Sequence, residues 1–552
     1  MRQHHRLLTV LCLGLSSLLV AGCLEYKPVA SVSSPPKRTQ EFTEPSLPAT
    51  PSLAAQDKKD EPCIKDADEL PANPELMTPF AQQVPITFVT RSQNADAWDK
   101  LKEFWNVEKE TVADPFSGAS VTRDVVRIKV PLGLTQAPPV PAENPLTLEK
   151  FNLGKKLYYD PILSFDGKVS CATCHDPAKG FTDQLPTSKG IKDQLGGMNA
   201  PTVINSGYND RQFWDGRAAS LELQAQGPVG NPLEMMDASR GNPDVHAWPE
   251  AVNRLRARPE YVRMFLKVFG TPPTRDATAK AIAAYERTVL NGNALHDRAQ
   301  GFMLKRAEEE GKPPTAPTTK DYITAKDYEA TLKDAKAKKD EHALKALGLD
   351  LAADDARLAA AGASLANGRN LFFGKARCNT CHAGDNFTDN QFHNLGVGAK
   401  DGILPMDHLG RYARLDLGHK NPVFKGAFKT PSLRSLLTTA PYMHDGTEKT
   451  LEEVVKFYDR GGNVNDTLDI SMRDVDKEKE WLKLGADQFQ KKYPNLKVHV
   501  APGKQPIIPL VLNLTEQEQK DLVLFMKALQ GDPIHPIVAD PQQFPQVVGA
   551  AK

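Results

Sequence analysis

Two short stretches concentrate the residues that could do chemistry: Cys171-Ala172-Thr173-Cys174-His175 and Cys378-Asn379-Thr380-Cys381-His382. In such a stretch two thiols form thioethers with haem vinyl groups, and the adjoining histidine ligates iron from the proximal side. A zinc site would want a second ligand pair nearby, and dithiol redox chemistry would want a βαβ context. The chain supplies neither. The spacing therefore points to two covalently bound haem c groups, held by Cys171, Cys174, His175, Cys378, Cys381 and His382. Of the other cysteines, Cys12 sits in an apolar opening segment, Cys23 at its end and Cys63 in a linker, so no internal disulfide framework is left to form.

The elements that must position these groups start with an export signal. A short basic region and the apolar run Leu7–Val20 are too short for a comfortable transmembrane helix. The ending Val20-Ala21-Gly22-Cys23 resembles a bacterial lipobox, which makes residues 1–22 a lipoprotein signal peptide and Cys23 the acylated N-terminus of a membrane-tethered chain. Residues 23–75, rich in Pro, Ser, Thr, Lys and Asp, read as a disordered tether. Residues 76–143 form an extension of unknown role, with an alternating apolar run at Val84, a helix-like segment from Ala97 to Val107 and a Pro-rich exit.

The body reads as mostly α, with two cytochrome c-like haem domains in tandem over residues 144–355 and 356–535 and a tail at 536–552. Leu153-Gly154-Lys155-Lys156-Leu157-Tyr158-Tyr159 precedes the first haem motif much as Asn367-Gly368-Arg369-Asn370-Leu371-Phe372-Phe373 precedes the second. An internal duplication is the simplest account. An amphipathic helix is expected over Ala277–Leu290. A charged insertion at about 305–345 reads as solvated helix and loop. Thr515 is a candidate N-cap for a terminal helix through Leu529. With 69 acidic and 69 basic residues, the chain has no global field suited to nucleic acid.

Over residues 144–533 the sequence resembles the bacterial di-haem cytochrome c peroxidase and MauG family. The resemblance rests on ordered motifs: Leu163-Ser164, Ser170-Cys-Ala-Thr-Cys-His, Asn199-Ala-Pro-Thr202, Phe213-Trp-Asp-Gly-Arg217, Gln224 through Met235, Phe387-Thr-Asp389, Phe428-Lys-Thr-Pro-Ser-Leu-Arg434 and Ala440-Pro-Tyr-Met-His-Asp-Gly446. It implies a peroxide site at the first haem and electron receipt at the second. It implies Glu234 as the distal carboxylate that moves the peroxide proton, with Gln224 and Pro228 lining the same pocket. Trp214 corresponds to the tryptophan between the haems. Asn199 and the carbonyls of Thr439 and Pro441 match an inter-domain calcium site, a donor set suited to that hard cation.

Two departures from the usual peroxidase pattern carry weight. No histidine lies between His175 and His246, so the first haem is expected to be open at rest. Tyr458 stands fourteen residues beyond His444, where ordinary peroxidases have methionine; it is the expected sixth ligand of the second haem, with Met443 or Met472 as the alternative. An anionic tyrosinate favours the oxidised iron and a low potential. The expected activity is reduction of hydrogen peroxide with electrons from a small cytochrome c or cupredoxin, on the periplasmic side of the membrane. Oxidation of a Trp or Tyr on a partner protein, and electron carriage without catalysis, stand as alternatives.

Overall fold

The computed structural model describes residues 67–311 and 323–545. The signal peptide, Cys23, Cys63, most of the tether, and residues 312–322 and 546–552 lie outside the described residues.

The extension folds as a small sheet. β1 (Ile86–Val89) pairs parallel with β3 (Ser120–Lys129), and β2 (Trp105–Ala113) pairs antiparallel with the other side of β3, Trp105 opposite Ile128. The helix expected over Ala97–Val107 is confined to α1 (Ala95–Lys100), capped by Asn94. From Trp105, which is buried, the residues belong to the sheet instead. The charged positions pair across strands, Lys109 with Asp124 at 2.6 Å and Arg123 with Glu110 at 3.0 Å. The buried face, with Ile86, Trp105, Val126 and Ile128, joins the core around Phe151 and Tyr285.

The first half contains α2 (Leu148–Tyr159), the short α3 (Cys171–Cys174) and α4 (Leu221–Gln224), then α5 (Pro243–Arg256), α6 (Pro259–Phe269) and α7 (Arg275–Glu286). α7 is buried on nearly every side rather than amphipathic, because α2 and α4 cover it and the sheet core closes over its end. α2 crosses α7 at Gly154, where an added Cβ would lie 1.8 Å from the carbonyl oxygen of Ala281. Only a residue without a side chain lets the two backbones meet.

The second half repeats the device. α8 (Leu295–Glu309), α9 (Ala325–Ala337), α10 (Glu341–Ala346) and α11 (Asp355–Phe372) lead to the second haem motif, followed by α12 (Leu451–Asp459), α13 (Val475–Leu484), α14 (Ala486–Lys492) and α15 (Glu516–Lys527). α11 crosses α15 at Gly368, where a Cβ would lie 1.9 Å from the carbonyl oxygen of Asp521. Thr515 caps α15 through a reciprocal bond with Glu518, as expected.

Three boundaries differ from expectation. The charged insertion is not a solvated excursion: Tyr328, Leu332, Ala335 and Leu344 form one core with Leu295 and Met303 of α8, Leu358 and Leu365 of α11, and Ala528. Its Lys and Glu residues occupy the outer face, and the sparse apolar positions sit at helical spacing on the inner one. The described end of the tether is docked, since the carbonyls of Ala67 and Asp68 accept the free first N–H groups of α7 and Asn73 pairs with Gly270. The tail forms α16 (Pro536–Ala539), which returns to the first half and buries Val538 beside α2 and α7.

Candidate haem sites

After α2 the chain turns at Asp160, and Tyr158 donates its hydroxyl to the carbonyl of His175 at 2.6 Å. Ser170 and Thr173 cap α3, which places Cys171 and Cys174 on one helical turn. The Nδ1 of His175 lies 3.3 Å from the carbonyl oxygen of Phe181, and that of His382 lies 2.9 Å from the carbonyl oxygen of Phe387. A carbonyl only accepts, so Nδ1 carries the proton and Nε2 keeps its lone pair for a metal. Burial pulls both histidines toward the neutral form. Both phenylalanines take a positive φ, 58° and 52°, to aim the carbonyl back.

The residues fit covalent haem. All four cysteines are unpaired, and burial raises the thiols of Cys171, Cys174 and Cys378, Cys174 to about 11 and Cys378 to about 12. That setting is wrong for a reactive dithiol, which needs a depressed pKa. Each histidine lines a cavity of its own. Two buried polar atoms on the first cavity's residues, Ser206 Oγ and Glu286 Oε2, have no partner in the protein. Buried polar groups are ordinarily satisfied, so a polar ligand is called for there.

Gln224 and Trp214 line the first cavity, and Trp214 lines the second as well, its indole N–H donating to the carbonyl of Asn199 at 2.9 Å. Glu234 and Pro228 are not among the residues lining the first cavity. Glu234 is nevertheless buried near the attachment residues, close enough to raise the pKa of both Cys171 and Cys174. Burial raises its own pKa, opposed by the Arg217 charge and by Asn231, whose Nδ2 donates to Oε1 at 2.5 Å.

Tyr458 is on α12 and lines the second cavity with His382; burial raises its phenol pKa. Met443 and Met472 line the same cavity, so all three candidate sixth ligands converge there. Asn199, Thr439 and Pro441 also lie together on its wall. The Asn199 side-chain nitrogen donates to the Leu185 carbonyl at 2.7 Å.

Sequence reasoning missed three charged groups. Glu286, 5% exposed, is pushed up to about 8 by burial. Lys429 lines both cavities, holds only long contacts to Asn209 Oδ1 (3.5 Å) and Thr430 O (3.4 Å), and is pulled down to about 8 by burial. His393, on the second cavity's wall, sits 2.9 Å from both Asp469 and Asp389. Asp469 first, with Asp389 on the other ring nitrogen, raises its pKa and holds the imidazolium. A signal for the carbonyl support was present: Phe181-Thr182-Asp183 repeats Phe387-Thr388-Asp389 after each haem motif.

Known proteins resemble this chain over most of its body. The family model for di-haem cytochrome c peroxidase matches residues 148–302. The chain is 33% identical over 437 residues to the cytochrome-c peroxidase IdrP1 of Denitromonas iodatirespirans, covering 75% of this chain and 90% of that protein. It is 31% identical over 418 residues to the methylamine utilization protein MauG of Methylorubrum extorquens, covering 74% and 86%. It is 32% identical over 361 residues to the cytochrome c551 peroxidase of Nitrosomonas europaea, covering 65% and 86%.

Proposed function

Because the chain belongs to the di-haem cytochrome c peroxidase and MauG family, we propose that it reduces hydrogen peroxide to water with electrons from a small redox protein, a cytochrome c or a cupredoxin. The reaction takes up two electrons and two protons and releases two waters. Haem iron supplies the electron exchange and the site at which peroxide reacts, and the chain supplies the protons and the path. Glu234 takes the proton from the nearer peroxide oxygen and returns it to the departing one. Its burial supports this reading, since desolvation raises its pKa from the ordinary carboxylate value and so favours holding the proton that the role requires. Gln224 orients the substrate, and Trp214, lining both cavities, carries the electron between them.

The observation that carries an open resting state is the composition of the first cavity: His175 is the only histidine among its described lining residues. Among the described residues lining this cavity, no second imidazole is placed to close the site. The reading is tested by steady-state peroxide turnover with a reduced cytochrome c, with and without pre-reduction. Equal turnover in both is expected; absence of turnover would sink the proposal, and dependence on pre-reduction would remove the open resting state.

Tyr458 beside His382 favours a second reading, peroxide-driven oxidation of a Trp or Tyr on a partner protein. Electron carriage alone is disfavoured, since a carrier has no use for Glu234 and Gln224. We further assign Asn199, Thr439 and Pro441 to one calcium ion, and Cys23 to a lipid anchor on the periplasmic side. Release of the chain from membranes by Cys23→Ser checks the anchor.

A further inference from the structure

A cluster of metal-ligating side chains that holds none of the haem-attachment residues borders the second cavity, whose lining includes His444. His444 is 4% exposed and stacks on Phe428 at 3.5 Å with a 17° interplanar angle, which fixes its ring. Its backbone carbonyl is taken by the Asn199 N–H at 2.8 Å, which fixes its main chain. The Nε2 of His444 faces the Nδ1 of His408 at 2.9 Å. His408 fits only because residue 398 is glycine: a Cβ there would lie 2.1 Å from that Nδ1. The third member is Asp445, whose Oδ1 accepts from the Thr447 N–H at 3.2 Å and hydroxyl at 2.9 Å, so its carboxylate is held too. One donor atom from each of the three lies within 4.8 Å of the others.

We propose that His408, His444 and Asp445 bind one borderline divalent transition-metal ion, of the class of Zn²⁺ or Cu²⁺. Two imidazoles and a carboxylate select such ions over the hard cations, which prefer all-oxygen sets. The site is thus distinct in chemistry from the neighbouring oxygen donors of Asn199, Thr439 and Pro441. An ion about 2.0–2.1 Å from each nitrogen requires the two rings to part by roughly 0.4 Å, an adjustment a surface-loop histidine accommodates. Three protein donors leave a coordination position open to water or to an external ligand. The ion would tie the loop carrying His408 to the wall that carries Trp214, whose ring lies 6.4 Å from that of His444.

The test uses the full-length holoprotein, stripped with a chelator and loaded separately with Zn²⁺ and Cu²⁺, then desalted. One retained equivalent of either metal per chain is expected, with a type 2 Cu(II) electron paramagnetic resonance signal showing nitrogen couplings. His408→Ala should weaken retention at least about tenfold, the low end of what even an outer partner of a metal contributes, with the haem Soret band unchanged. If His408→Ala loses its haems, Asp445→Asn is read in its place. Failure of the unmutated chain to retain an equivalent would mean that the two rings share only a hydrogen bond, and would overturn the proposal. Equal retention in the variant would place the metal elsewhere and overturn it as well. Neither readout depends on peroxide turnover.

Discussion

At the scale of single residues, the two attachment histidines are prepared identically and their surroundings differ. Each ring gives its Nδ1 proton to a phenylalanine carbonyl, but one cavity holds Gln224 with Glu234 buried near its cysteines, and the other holds Tyr458 and two methionines. Glu234→Gln keeps shape and removes the titratable proton. It should lower the rate of reaction with peroxide by roughly 10²- to 10⁴-fold while both haems stay attached; full activity would remove Glu234 from its role. Tyr458→His should turn the second haem's low-spin resonance into that of a bis-histidine centre, and an unchanged spectrum would pass ligation to Met443 or Met472. Glu286 gives a pH dependence with a definite sign. Between the ordinary value of 4.5 and about 8 the folded chain keeps a proton that the unfolded chain has lost. That contribution is fully present below 4.5 and is lost as pH rises through 8. Glu286→Gln should therefore flatten the fall in Tm between pH 5 and pH 8.5, and an unaltered slope would show that Glu286 is not the group responsible.

At the scale of elements, the duplication is built around two crossings. Gly154 on α2 meets Ala281 of α7, and Gly368 on α11 meets Asp521 of α15. Asp521 also accepts from Asn367 at 2.6 Å, so the second crossing is bonded as well as packed. Gly154→Ala or Gly368→Ala would gain helix propensity of about 1 kcal/mol, yet drives a methyl into a backbone carbonyl. Overpacking of this kind destabilises by about 1–3 kcal/mol or more, so both variants should fall in Tm and lose haem from the half they disturb. A rise in Tm would show that the crossings can separate. The lead-in segments exposed this repeat in the sequence because Gly and the following aromatic positions recur in order. The sheet of the extension was not legible in the same way. β2 and β3 carry runs of adjacent charged residues, Glu108-Lys109-Glu110 and Arg123-Asp124, that break an apolar alternation, and only the partner strand and the Phe151–Tyr285 core decide which side is buried.

At the scale of the molecule, the described residues fall within one compact unit, Pro62–Lys552. The tail ties the halves together, since α16 leaves the second half to cover the first, while residues 67–73 bond to α6 and α7 within the first half. Lys155 is fully buried and donates to the carbonyls of Ile537 (2.5 Å) and Gln543 (2.7 Å). Deleting residues 536–552 strands that ammonium and uncovers Val538's site, a loss on the order of 3–5 kcal/mol. Lys155→Met in the truncated chain should recover part of it. Thermal unfolding of the full holoprotein should run as one transition; two well-separated transitions would show that the tail does not couple the halves.

What the sequence alone determined is the chemistry that depends on short spacing. Two haem attachments, the terminal helix with its Thr515 cap, the repeated lead-ins and the family follow from residues a few positions apart, where local geometry leaves little freedom. Tertiary structure decided whatever joins distant segments. It placed Glu286 at the first haem cavity, although nothing near it in sequence marks it as part of a site, and it set Lys429 of the Phe428–Arg434 motif between both cavities. It put the charged helices α9 and α10 into the core of the second half and returned the tail to the first. It brought His408 and His444, thirty-six positions apart, to 2.9 Å. Burial and charge pairing are properties of the assembled fold, and a linear pattern holds no record of which side of a polar segment will be covered.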